Sequence, residues 1–104
     1  MKRTKSMIYN ETVESRELFL YATNDGNLYR QMITPTIENL RKKAIKGAYD
    51  QEKAVDAYYH IATEASKKYN KDFGYSFSVS DRFSVAVDME EYYREDEVFY
   101  ELEA

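Results

Sequence analysis

Hydrophobic residues in the middle of the chain recur every three or four positions, the spacing of one face of an α-helix. The clearest stripe comprises Tyr29, Ile33, Ile37, Leu40 and Ala44. Gly47 stands where a left-handed residue commonly ends a helix. Pro35 interrupts the stripe, so either one helix bends there or Thr34 caps a new helix with Pro35 in its first turn. We favour one bent helix, because the stripe continues through the proline in register.

The sequence predicts a helix on each side of this one. Ser15 is a candidate N-cap for a helix over residues 16–24. Asp50 is a candidate N-cap for the helix that follows Gly47, and Gly74 lies where that helix should end. The buried face expected for it comprises Ala54 or Val55, Tyr58, Ile61 or Ala62, Ala65 and Tyr69. On its other side Glu64 and Lys68 are four residues apart, which predicts an ion pair.

The segment from residue 75 to residue 94 fits two secondary structures. Hydrophobic residues alternate with polar or small ones over residues 75–87, which suits a β-hairpin that turns at residues 80–82. Alternatively, Ser80 caps a helix over residues 82–94 whose buried stripe contains Val85, Met89 and Tyr92 or Tyr93. Three glycines and one proline are few for a β-rich chain. We therefore predict an all-α fold, a small bundle of about four helices, with an α+β fold as the alternative.

Composition limits the kind of protein this is. A chain of 104 residues has the size of a single domain, here residues 1–104, with residues 1–11 expected to form a flexible arm. The absence of cysteine excludes disulfides and thiolate metal sites. No apolar run approaches the roughly 20 residues of a membrane-spanning helix. We expect a soluble cytoplasmic protein without a membrane partner.

The charges are unevenly distributed along the chain. From residue 88 onward there are eight acidic residues and one arginine, whereas the net charge of the whole chain is only -4. Acidic groups interleaved with aromatic rings would suit a basic partner surface, although a solvated acidic helix face would explain the same pattern. The candidate partner-binding residues are Glu90, Glu91, Tyr92, Tyr93, Glu95, Asp96 and Glu97.

A group of basic residues offers an alternative binding site. Arg41, Lys42, Lys43 and Lys46 could contact nucleic-acid phosphates, with Arg30 and Lys53 nearby and Lys2, Arg3 and Lys5 in the arm. Basic residues are also favoured at a helix C-terminus, which needs no ligand to explain them. The sequence pI near 5.0 makes direct nucleic-acid binding the weaker hypothesis.

The residues offer little for catalysis. His60 is the single histidine, and Asp56, His60 and Glu64 lie on one face of the third predicted helix. Lysines share that face, as on an ordinary solvated surface, so we expect no metal and no cofactor. No nucleophile motif or phosphate-binding glycine loop is present. We expect a protein that is not an enzyme.

Five short segments appear in a distinctive order: DGNLYRQ at residues 25–31, PTIENL at 35–40, KGAYD at 46–50, ASKKY at 65–69 and FSVSDR at 77–82. Together they resemble a group of small uncharacterised proteins encoded by bacteriophages, plasmids and integrated mobile elements. The resemblance implies a bacterial host cell and an all-helical domain. It carries no catalytic or binding residues to this chain.

These observations lead to one hypothesis and two alternatives. The leading hypothesis is a mobile-element protein that binds a host protein with a basic surface and inhibits a nucleic-acid-handling defence system, such as CRISPR or restriction. The first alternative is a DNA-binding accessory or regulatory protein that uses the basic residues at 41–46. The second is a self-associating structural protein whose exposed tyrosines pair across a homo-oligomer interface.

Overall fold

The computed structural model describes residues 12–95, and these residues are almost entirely helical. The helices are α1 (Val13–Asn24), the single turn α2 (Gly26–Leu28), α3 (Thr34–Ile45), α4 (Gln51–Phe73) and α5 (Val79–Arg94). A π-helical turn, Tyr29–Ile33, joins α2 to α3. No strand occurs within this range, so the all-α prediction is confirmed and the hairpin alternative is wrong. The predicted arm at residues 1–11, Asp96 and Glu97 lie outside the described residues.

Helix α1 begins three residues earlier than the sequence predicts, because Thr12 rather than Ser15 is its N-cap. The Thr12 Oγ1 accepts the N–H of Ser15, and the Ser15 Oγ accepts the N–H of Thr12, each at 2.9 Å. This reciprocal capping box satisfies two backbone donors that a helix leaves unpaired. The Thr12 hydroxyl also donates to Asp81 Oδ1 at 3.0 Å, which ties the start of α1 to the first turn of α5.

The chain remains helical through Pro35, as the hydrophobic stripe predicted. No side chain caps α3, so Thr34 does not start a separate helix. Instead, the N–H of Thr34 bonds to the carbonyl of Tyr29, five residues back. A proline ring clashes with the carbonyl four residues before it and supplies no N–H. The wider π turn directly before Pro35 accommodates both effects without breaking the helix.

Short turns with specific backbone requirements set the ends of the longer helices. Gly47 and Gly74 both have positive φ, 74° and 72°; the left-handed conformation was predicted for Gly47, and Gly74 ends α4 at the predicted place. The Asp50 carboxylate accepts the N–H groups of Glu52 and Lys53, which confirms it as the N-cap of α4. Ser78, not Ser80, caps α5 by accepting the N–H of Asp81 at 3.0 Å.

The core lies between α1, α4 and α5, and α3 packs against the first half of α4. Its fully buried side chains include Leu18, Ile33, Tyr58, Ile61, Val85 and Met89. Three positions of the predicted stripe differ: Tyr29 is exposed, and Ile37 and Ala44 are only half-buried. Leu28 is buried instead, because the π turn changes which residues face the core. None of the described helices is both long enough and apolar enough to cross a membrane.

Candidate protein-binding surface

Five aromatic rings meet where α4 ends and the chain turns towards α5. Tyr69 is at the centre: its ring centroid lies 5.1 Å from that of Tyr21, 4.7 Å from Phe73 and 4.9 Å from Phe77. Tyr75 lies 4.8 Å from Phe77 and 6.5 Å from Tyr69. Most of these pairs meet edge to face, which is the favoured geometry of aromatic contacts. The cluster therefore forms one packed group rather than separate rings.

The backbone between α4 and α5 holds this cluster in place. Gly74 reverses the chain, and the Asn70 amide donates to Ser76 Oγ at 3.1 Å across the turn. Phe77 then enters the core, where only 4% of its surface stays accessible. The Arg82 guanidinium donates to the Phe77 carbonyl at 2.7 Å. The turn is thus fixed by a buried anchor and by side-chain hydrogen bonds.

Two rings of this cluster and one neighbouring apolar side chain face solvent. Phe73 is 66% exposed, Tyr75 is 44% exposed, and Leu20 on α1 is 49% exposed. Leu20 lines a shallow depression of about 400 Å³ with Tyr21 and Asp25. We define the aromatic surface as Leu20, Tyr21, Tyr69, Phe73 and Tyr75. Adjacent exposed apolar side chains on a fixed scaffold are typical of interaction sites.

Carboxylates border the aromatic surface. The Tyr21 hydroxyl donates to Asp72 and the Tyr69 hydroxyl donates to Glu17, each at 3.3 Å. Burial and the neighbouring Asp72 raise the pKa of Tyr21. Burial and Glu17 likewise raise the pKa of Tyr69. Both phenols therefore stay protonated at neutral pH.

A third carboxylate at this border is paired with a lysine. Lys68 Nζ donates to Asp25 Oδ2 at 2.7 Å, and the N–H of Leu28 donates to Asp25 Oδ1. These hydrogen bonds lower the pKa of Asp25 and raise that of Lys68. The predicted pairing of Lys68 with Glu64 is therefore wrong, because Glu64 pairs instead with Lys67 at 3.3 Å.

The acidic residues that the sequence proposed for partner binding do not form one exposed face. Only 1% of Glu90 is accessible. Its Oε2 accepts the Tyr49 hydroxyl at 2.7 Å and Arg94 Nε at 2.6 Å. Its Oε1 accepts the amide of Gln51 at 3.2 Å. The hydrogen bonds of Glu90 thus connect the start of α4 and the loop before it to the last turns of α5. Its carboxylate is not available to a partner.

Its neighbours divide in the same way. Glu91 is 5% exposed and Tyr93 is 6% exposed, and the Tyr93 ring stacks on Tyr58 with centroids 5.8 Å apart. Tyr92 is 47% exposed and meets Phe19 edge to face, while Glu95 is exposed. Of the predicted residues within the described range, only Tyr92 and Glu95 thus present a surface. Of the two tyrosines that the sequence offered for the buried stripe of α5, Tyr93 is the buried one.

The other candidate residues lie elsewhere. Lys42, Lys43 and Lys46 are exposed at the end of α3, whereas Arg41 is half-buried and its Nε has no hydrogen-bond partner. Asp56 and His60 are exposed on the outer face of α4. The described residues contain no group of three metal-ligating side chains placed to hold an ion.

Comparisons with models of protein families, with curated proteins and with solved structures return no match for this chain. The aromatic surface is therefore identified from its geometry alone. The sequence contained a signal for it, since aromatic residues stand at 69, 73, 75 and 77 around a helix-ending glycine. The residues at 75 and 77 also fit the alternating pattern of the hairpin alternative.

Proposed function

We propose that this protein acts without catalysis, by binding another protein through the aromatic surface, and that the partner offers a basic site. The observation that carries the proposal is the exposure of Phe73 and Tyr75 on a scaffold whose central rings are packed. Aromatic side chains are enriched among the residues that dominate binding energies. A pre-formed surface also avoids much of the entropy cost of ordering side chains on binding.

The chemistry of the partner follows from the border of this surface. Glu17 and Asp72 are both carboxylates that accept a tyrosine hydroxyl, and neither has a basic partner among residues 12–95. Lysine or arginine side chains of a partner could reach these carboxylates while an apolar group covers Phe73. Complementary charge of this kind mainly speeds association and selects between partners.

A nucleic-acid-handling host protein fits this chemistry, because its binding groove is basic. The resemblance to mobile-element proteins favours a defence component, such as one of a CRISPR or restriction system, as the inhibited partner. The acidic border would then occupy part of a groove made for phosphates. We assign the proposed contact to the aromatic surface rather than to Glu90 and Glu91, because both of these carboxylates are buried.

The test is capture of a partner from nuclease-treated bacterial lysate by the full chain and by two variants. The first variant carries Phe73→Ser and Tyr75→Ser. The matched control is Phe83→Ser on α5, whose side chain is 48% exposed outside the aromatic surface. Thermal unfolding of each variant, followed by circular dichroism, shows whether the fold is kept.

We expect one basic protein to be retained by the native chain and by the control, and to be lost by the double variant. Binding of the purified pair should weaken at high salt. Retention by all three chains would contradict the proposal. Self-association of the native chain that the double variant abolishes, with no captured protein, would instead support the structural-protein alternative.

A further inference from the structure

A second concave site lies at the opposite end of α4 from the aromatic surface. It is a cleft of about 310 Å³ between α3 and α4. Its lining residues are Pro35, Thr36, Asn39, Leu40, Lys43, Asp50, Lys53 and Ala57. A helix of 23 residues is about 34 Å long, so this cleft and the aromatic surface are well separated.

Two lysines from different helices line this cleft. Lys43 comes from the last turn of α3, and Lys53 comes from the first turn of α4. Neither ammonium group forms an ion pair with a carboxylate of the described residues. Two cations from separate helices that line one cleft, without an ion pair among residues 12–95, make a favourable position for a multiply charged anion.

The remaining lining side chains divide into polar and apolar groups. Thr36 and Asn39 supply a hydroxyl and an amide that can donate hydrogen bonds. Pro35, Leu40 and Ala57 supply apolar surface against which a flat ring can lie. A ligand that places a phosphate group beside the lysines and a flat ring against the apolar residues would be a nucleotide.

We propose that the α3–α4 cleft binds the phosphate group of a nucleotide, with Lys43 and Lys53 as the charged contacts. The nucleotide is either free or part of a nucleic-acid strand, and the phosphate chemistry is common to both. Asp50 is the one carboxylate in the lining, and its Oδ1 accepts two N–H groups at the start of α4. These bonds hold Oδ1 against the backbone of α4, although the negative charge of the carboxylate still weakens anion binding.

Binding is measured on the full chain at low salt with three probes: inorganic phosphate, adenosine monophosphate and a fluorescent single-stranded oligonucleotide. The variants are Lys43→Gln and Lys53→Gln. Lys42→Gln is the matched control, because it removes the same charge from the same helix outside the cleft. We expect Lys43→Gln and Lys53→Gln each to weaken binding about fivefold, the effect of one exposed ion pair, and Lys42→Gln to change it less than twofold.

A further variant tests the sign of the effect. Asp50→Asn keeps a capping side chain, since asparagine caps helices as well as aspartate does. It removes the negative charge from the cleft, so we expect tighter binding. If adenosine monophosphate binds more tightly than inorganic phosphate, the ligand is a free nucleotide; if only the oligonucleotide binds with the same lysine dependence, it is a strand. Absence of binding to all probes, or equal losses in Lys42→Gln and Lys43→Gln, would overturn the proposal.

Discussion

The buried carboxylate of Glu90 allows a direct test of how the C-terminal half of α5 is used. We expect Glu90→Gln to destabilise the protein, although its shape is nearly conserved. The carboxylate accepts hydrogen bonds from three side chains, those of Tyr49, Gln51 and Arg94. A neutral amide in its place accepts through one oxygen only, and its NH₂ group faces other donors.

The size of this effect follows from burial. Removing one partner of a buried ion pair commonly costs about 3–5 kcal/mol. The Arg94 side chain is 27% exposed, so it can turn towards water and recover part of this cost. We therefore expect Glu90→Gln to lower the free energy of unfolding by about 2–3 kcal/mol. Glu90→Ala should cost somewhat more, because it also leaves a cavity.

Urea unfolding followed by circular dichroism measures this free energy. Glu95→Gln is the matched control, since Glu95 is exposed one turn further along the chain, and its effect should stay within about 0.5 kcal/mol. A double-mutant cycle with Tyr49→Phe should give a coupling energy of about 1–2 kcal/mol. If Glu90→Gln and Glu95→Gln have equally small effects, Glu90 is exposed to solvent. Helix α5 then carries the solvated acidic face that the sequence pattern suggests.

Two further predictions concern the core. Ile61→Ala should lower the free energy of unfolding by about 2–4 kcal/mol. Ile37→Ala should lower it by less, because Ile37 is half-buried. Equal losses of the two variants in urea unfolding would show that Ile37 is as deeply buried as Ile61. Burial, aided by Glu90, raises the pKa of Tyr49 above 10.0, and burial also raises that of Tyr58. Their stabilising contribution is therefore complete below about pH 10 and declines at higher pH, where the unfolded phenols ionise first. Tyr49→Phe should reduce this decline in unfolding measurements between about pH 9 and pH 11, and an unchanged slope would argue against its burial.

Local signals in the sequence were sufficient where a residue's role depends on its near neighbours. Asp50 caps α4, Gly74 ends it, and the spacing of Tyr58, Ile61 and Ala65 identifies its buried face. Capping bonds and side-chain period act within one or two helical turns, so they can be read from a short segment. Smaller errors arose where two serines or threonines competed for one helix start, as Thr12 and Ser15 did.

The sequence predicts the aromatic surface less well than it predicts the helix ends. Tyr75 lies in the segment over residues 75–87 whose alternation also suits a strand, and Phe73 stands directly before the glycine that ends α4. Phe77 enters the core, whereas Phe73 and Tyr75 stay exposed. The helices that pack around the turn decide which of its aromatic residues is buried.

The sequence by itself thus determined the positions of the helices, most of their ends and the all-α class, because local hydrogen bonds and periodicity specify them. Only the tertiary structure decided that Glu90 and Glu91 are buried and that Lys68 pairs with Asp25. The prediction assumed that α5 buries one face. Helix α5 lies between α1 and α4. Because two neighbouring helices cover it, acidic residues outside its apolar stripe are buried as well. Contacts between residues distant in the chain, not periodicity, therefore decide which of its charges a partner can reach.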